Sequence, residues 1–150
     1  MEPLTLNFDS VRHLIKTRKR VEKTEIWDFM RKKWILLQPE ELVRQHVVHL
    51  LVFEYGFSKN LIAVEKEFII NQKRKRFDVV IYDKNSKPYI LIECKAFTVE
   101  ITQDVFDQIA MYNLSIQAPF LLTTNGIKSY CFIQNHETEK LTFLNSLPIL

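Results

Sequence analysis

The chain has 150 residues, 47% of them hydrophobic and 26% charged, and a formal net charge of +3. That is the composition of an ordinary globular protein, long enough for one domain with a core of its own, residues 1–150. Two cysteines are too few for a disulfide framework, and Cys94, inside an apolar run, reads as a small buried hydrophobe. With only Gly56 and Gly126 available, neither a phosphate-cradling loop nor a dinucleotide fingerprint can be built, which excludes nucleotide-driven motor chemistry. The Met1-Glu2-Pro3 start lacks the pattern of a secretory signal, and no apolar run approaches the ~20 residues of a membrane span, so a cytoplasmic location is expected.

The charge is unevenly spread. Residues 11–34 hold nine Lys or Arg against Glu22, Glu25 and Asp28, whereas residues 96–150 hold Lys128 and Lys140 against five acids. A second basic cluster, Lys73-Arg74-Lys75-Arg76, precedes Asp78. Such asymmetry points to a polyanion on one side of the molecule. The alternative is a solvated face with no partner.

In chain order, residues 1–38 are expected to form a basic hairpin or arm, with Val11 to Lys16 and Ile26 to Trp34 as strands and Arg18-Lys19-Arg20 near the turn. Its Trp27, Phe29 and Trp34 either help grip DNA backbone or pack the arm onto the core. Pro39, suited to a first helical position, and the acids Glu40 and Glu41 open a helix over about 39–55, with Val43, Val47, Leu50 and Leu51 at helical spacing and Gly56 as its C-terminal cap. His46 and His49 lack a matching second ligand pair and read as ordinary helix histidines. Three strands follow: Ala63 to Ile70, Arg76 to Tyr82 after a turn at Asn71-Gln72-Lys73, and Tyr89 to Lys95 after a turn at 83–88. The last two are apolar on both faces, the mark of central strands. A second helix spans about 103–117, with Thr102 as N-cap and Val105, Ile109, Tyr112 and Ile116 as its apolar stripe. Phe120 to Thr124, Tyr130 to Ile133 and Leu141 to Leu144 are the closing strands. From residue 39 the order is αβββαββ(β), an α/β chain with a mixed sheet flanked by helices.

Three residues do not belong in such strands. Asp78 interrupts one apolar strand, and Glu93 and Lys95 lie two apart, on one face, at the end of the next. An unpaired buried carboxylate costs several kcal/mol, by order of magnitude, and two close together cost more unless a cation lies between them. A divalent ion with oxygen ligands supplies that cation, and Mg²⁺ is the natural choice. Lys95 could pair with a carboxylate, hold a scissile phosphate, or position and deprotonate a water. Together these groups suit metal-assisted phosphodiester hydrolysis. The bland alternative is a Glu93–Lys95 ion pair at a strand end.

The series Glu41 … Asp78 … Glu93-Cys94-Lys95 resembles the PD-(D/E)XK nuclease superfamily. More narrowly, residues 39 to about 147 resemble the N-terminal nuclease domain of type I restriction enzyme R subunits and its stand-alone relatives, through Pro39 to His46, Phe77 to Val80, Leu91 to Ala96, Phe106 to Asn113 and the Thr124-Asn125-Gly126 turn. Phe77 stands where the name motif has proline. The resemblance implies a restriction-endonuclease-like αβββαβ core that hydrolyses DNA endonucleolytically with Mg²⁺, or Mn²⁺ in its place, leaving 5′-phosphate and 3′-hydroxyl ends. Asp78, Glu93 and the Cys94 backbone carbonyl would hold the metal, Lys95 would be catalytic, and Glu41 would be the supporting acid, with Glu40 as the fallback. Gln108 and Tyr112, four residues apart on one helix face, match the family's Q-x-x-x-Y element near DNA and the site edge. Arg44 and Lys73, Arg74, Lys75 and Arg76 would contact DNA or the site edge. The implied partners are DNA and either a second copy or other restriction subunits, with no membrane and no nucleotide. A catalytically silent nucleic-acid-binding or docking module of the same fold is the competing expectation.

Overall fold

The computed structural model describes residues 2–150. Its centre is a six-stranded mixed sheet in the order β4 (Ile62–Ile70), β5 (Lys73–Tyr82), β6 (Pro88–Cys94), β7 (Phe120–Thr124), β8 (Ser129–Gln134) and β9 (Leu141–Leu144). Every neighbouring pair is antiparallel except β6 and β7. A parallel pair needs a long crossover, and α2 (Gln103–Ile116) provides it. The other helix, α1 (Pro39–Phe53), precedes the sheet. The expected mixed α+β architecture is what the chain adopts.

Apolar residues on both faces of β5 to β8 produce two cores. Val43, Val47, Val48 and Leu51 of α1 pack on Val79, Ile81, Ile90, Ile92, Leu122 and Cys131. Phe106, Ile109 and Ala110 of α2 pack on Val80, Leu91, Leu121 and Phe132 across the sheet. Cys94 is a buried free thiol on the α1 side, as its apolar setting suggests. The buried face of α2 is Phe106, Ile109, Ala110 and Asn113, one step round from the stripe read in the sequence. This turns half-buried Val105 and Tyr112 towards the site described below.

Local chemistry sets the helix ends. Gly56 has φ +72°, which lets the Phe57 amide turn back to the Leu51 carbonyl at 2.9 Å. Thr102 sits at the N-cap of α2, but its side chain makes no capping bond. At the other end Gln117 is left-handed, and buried Asn113 bonds both the amide and the carbonyl of Ala118, fixing the entry into β7.

The N-terminal arm is where the structure departs most from expectation. Val11 to Lys16 is not a strand: Phe8–Leu14 forms a 3₁₀ helix in which Val11 alone is buried. Ser10 bonds the Asn7 carbonyl through both its amide and its hydroxyl, a local pattern that competes with extended backbone. The single strand expected from Ile26 to Trp34 is two, because Asp28 accepts the amides of Met30 and Arg31 at 2.9 Å and turns the chain. The arm is therefore a three-stranded antiparallel sheet, β1 (Thr17–Lys19), β2 (Thr24–Asp28) and β3 (Lys33–Leu36). Arg18 and Lys19 lie on β1 itself, with Arg20 at its turn.

Candidate active site at the fork between two strands

The β5–β6 ladder runs through Ile81↔Ile90, Val80↔Leu91 and Val79↔Ile92, and the next positions in that register are Asp78 and Glu93. There the strands part. The Cys94 amide, directed at β5, finds the Asp78 carboxylate instead of a carbonyl, donating to Oδ2 at 2.7 Å. On its other side β6 remains paired, the Lys95 amide donating to the Thr124 carbonyl at 2.8 Å. The chain also rotates at Asp78. Strict alternation would put Phe77 on the face of Val79, yet Phe77 packs on the α2 side and Val79 on the α1 side. Across from Asp78 on β4, Glu65 has φ +51°, a strained conformation for a residue with a side chain. This kink aims Asp78 into the fork.

Glu93 projects to the α2 side, into a narrow cleft lined also by Lys75, Lys95, Gln108 and Tyr112. Its Oε1 is buried and makes no hydrogen bond; Lys75 Nζ lies 3.2 Å away as an ion pair. The Lys75 ammonium also stands 5.0 Å above Phe77 and 5.2 Å above Tyr112, which hold it in place. On the α1 side, Arg44 Nη2 comes to 3.9 Å from Asp78 Oδ1. Arg44 is itself held by Glu41 at 2.7 Å and Glu65 at 2.9 Å.

The acids divide into two groups. Asp28, facing Arg31 and two turn amides, and Glu65, facing Arg44 and Arg31, are held below the ordinary carboxylate range. Glu41, buried between the same two arginines, is raised by desolvation in spite of them. At the fork burial wins as well. Burial pushes the Glu93 carboxyl up to about 7, with repulsion from Asp78 adding to it, and burial also raises Asp78 in spite of the Cys94 amide and Arg44. Glu40, at the exposed start of α1, is raised by desolvation and then by Asp78. Asp78 adds its repulsion to burial at both Glu93 and Glu40, and a cation would be accommodated among these three acids.

The donor set fits a hard divalent ion. Mg²⁺ is commonly bound through one or two carboxylates and keeps several waters. Among the described residues no group of three or more His, Cys, Asp and Glu side chains is gathered tightly enough to hold an ion unaided. Asp78, Glu93 and the Cys94 carbonyl between them, completed by water, would be the ligands.

Several expected residues are thus brought together: Asp78, Glu93, Lys95, Lys75, Gln108, Tyr112 and Arg44. Others are not. Glu41, expected as the supporting acid, is turned to Arg44 and to Arg31 at 3.4 Å, because its place on α1 faces the arginines. Glu40, the fallback, is the helix acid that feels Asp78 and Lys95. Lys73, Arg74 and Arg76 are exposed on the hairpin and do not line the cleft; Arg74 pairs with Glu67 at 3.4 Å. His46 and His49 bond the carbonyls of Leu42 and Gln45 in their own helix, as ordinary helix histidines do. Two residues of the network, Glu65 and Arg31, have no counterpart in the sequence reading. A two-residue turn at Asn71-Gln72 would have paired Glu65 with Asp78 by counting alone. For Arg31, in a turn of the arm, nothing in the sequence points to the site.

The model for the type I restriction enzyme R protein N terminus matches residues 39–148, from the first residue of α1 past the last strand of the sheet. The chain belongs to this family. The match takes in every residue of the fork and leaves out the N-terminal sheet that supplies Arg31. One solved structure similar to the chain is a fragment assigned as an HsdR subunit of a type I restriction enzyme from Vibrio vulnificus YJ016, with 19% identity and a TM-score of 0.49. The similarity covers 68% of this chain and 22% of that one, so the family member described here spans well under two thirds of it. No curated protein matches the chain. Among the described residues no helix is long and apolar enough to cross a membrane.

Proposed function

We propose that the chain is a Mg²⁺-dependent DNA endonuclease domain of the PD-(D/E)XK type, with Mn²⁺ able to replace Mg²⁺. The observation that supports it most is the convergence of Asp78 and Glu93 where β5 and β6 part, both carboxyls raised and both within the field of Lys95. Membership of the R-protein N-terminal family supports the same reading, since type I restriction enzymes are the setting its description names.

In this reading Asp78, Glu93 and the Cys94 carbonyl hold the ion, and Glu40 supports it from α1. A bound Mg²⁺ would supply Lewis-acid polarisation of the phosphoryl oxygens and favour the hydroxide form of water. Lys95 Nζ orients the attacking water or clamps a phosphate oxygen as charge develops on it. Lys75 favours the ionised form of Glu93 against its burial and offers a second cation to the same phosphate. The Cys94 amide fixes one Asp78 oxygen, and the other, with Arg44 3.9 Å away, would bind the ion. Gln108 and Tyr112 border the cleft from α2. The exposed cations Lys73, Arg74 and Arg76 hold backbone phosphates beyond the scissile one, a sequence-independent grip.

The test is incubation of supercoiled plasmid with the chain in Mg²⁺, Mn²⁺ or EDTA, beside Asp78→Ala and Lys95→Ala. Metal-dependent nicking or linearisation by wild type, absent in both variants, supports the proposal. DNA left equally intact by all three in every metal overturns it, and salt-dependent DNA binding without cleavage would then mark a binding module.

A further inference from the structure

The turn between β2 and β3 carries Arg31 into the middle of the acids behind the fork. Its Nη1 lies 2.7 Å from Glu65 Oε2 and its Nη2 3.4 Å from Glu41 Oε1, while its Nε is ion-paired with Asp28. Asp28, 1% exposed, is fixed by the turn amides it accepts. The turn is docked as well: the Phe29 amide donates to Gln45 Oε1 at 3.1 Å, and the Phe29 ring lies 4.7 Å from His49 and 5.6 Å from Phe53. Arg31 is thus anchored on α1 through its own turn before it meets Glu65.

Glu41 and Glu65 are also the two acids that grip Arg44. Arg44 is 6% exposed, and its Nε is buried without a hydrogen-bond partner. A buried guanidinium released from those acids has one strong attractor left nearby, the Asp78 carboxylate 3.9 Å away. Glu41 and Glu65 hold it back. Arg31 bridges the same two acids from the other side and adds its charge to that of Arg44.

We infer that Arg31 is a positioning residue for Asp78, acting through Glu65, Glu41 and Arg44, and that the N-terminal sheet is in this way part of the metal site proposed above. The inference rests on that reading of the fork. With Arg31 present, Arg44 orients Asp78 without neutralising it, and the kinked Glu65 keeps its place opposite. Without Arg31, Glu41 and Glu65 are left with Arg44 alone between them, Glu65 leaves its kinked place opposite, and Asp78 loses the position in which it meets a divalent ion. Arg31 lies outside the stretch that the family model matches, so the support comes from the N-terminal sheet and not from the matched core.

The test measures Mn²⁺ affinity of the full chain, without DNA, from the electron paramagnetic resonance signal of the free ion. Loss of a partner behind a metal ligand weakens affinity by about 10- to 100-fold. Arg31→Met is expected in that range. Arg31→Lys, which can pair with one acid but cannot fork between two, should recover part of the loss. Glu65→Gln should weaken binding similarly, and the double variant should be little worse than either single one, because both act on one chain of contacts. Folded Arg31→Met with Mn²⁺ affinity within about twofold of wild type overturns the inference. If Arg31→Met does not fold, Arg31→Lys and Glu65→Gln decide it by the same criterion. A wild-type chain that binds no Mn²⁺ at millimolar concentration overturns the metal site itself, an outcome distinct from wild-type binding that Arg31→Met leaves intact.

Discussion

The main-chain amide of Cys94 donates to Asp78 Oδ2 at 2.7 Å, in place of the carbonyl that a continued β5–β6 ladder would have offered. A side chain thereby takes over a backbone role, and one carboxylate oxygen is immobilised within reach of Glu93. Asp78→Asn keeps an acceptor for that amide and removes the charge. Metal-dependent cleavage is expected to fall by more than the ~100-fold that loss of an outer-shell partner costs. The Cys94 amide should stay protected in hydrogen exchange. A variant with wild-type cleavage would remove Asp78 from the site.

Glu93 makes stability depend on pH in an unusual direction. Its folded carboxyl, at about 7, lies above the ordinary 4.5, so the folded state binds that proton more tightly than the unfolded chain. The contribution is fully present below pH 4.5 and is lost as pH rises through about 7, amounting to about 3 kcal/mol for this group. In EDTA, Glu93→Gln should therefore gain on wild type as pH climbs through this window. Urea titrations of both proteins at pH 5 and pH 8 measure it, and an unchanged difference between the two pH values rules it out.

Lys75 is the near counter-ion of Glu93, at 3.2 Å. Lys75→Met should push the Glu93 carboxyl higher, so that cleavage and Mn²⁺ binding both need a more alkaline solution. The rising limb of the pH–rate profile should shift to higher pH, while a role confined to gripping DNA would lower the rate at every pH without moving the limb.

The neighbouring acids Glu40 and Glu41 should respond oppositely to the same change. Glu41 is buried between Arg44 and Arg31, so Glu41→Gln leaves charge unpaired and should cost about 3–5 kcal/mol in denaturant titration. Glu40 is exposed, and Glu40→Gln should change stability by no more than about 0.5 kcal/mol while weakening Mn²⁺ binding. Equal Mn²⁺ affinity in Glu40→Gln and wild type would leave the ion without support from α1.

What was legible in the sequence was whatever neighbours along the chain decide. The apolar runs of β5 and β6 mark central strands, Pro39 and Gly56 bracket α1, and Asp78 and Glu93 are conspicuous because carboxylates are costly in such strands. The arm departs from its sequence pattern where a side chain redirects the backbone, as Asp28 does by taking two turn amides. Periodicity cannot register that competition. Of Glu40 and Glu41, adjacent on a helix and about 100° apart around it, sequence could not say which faces Asp78, because the rotation of α1 is set by how Val43, Val47 and Leu51 seat on the sheet. The residue types and spacing thus determined by themselves that two acids and a lysine would meet on neighbouring strands. Only the tertiary structure decided that they meet at a fork, that Lys75 is the cation beside Glu93, and that Arg31 stands behind Asp78, since each depends on long-range packing that no local pattern encodes.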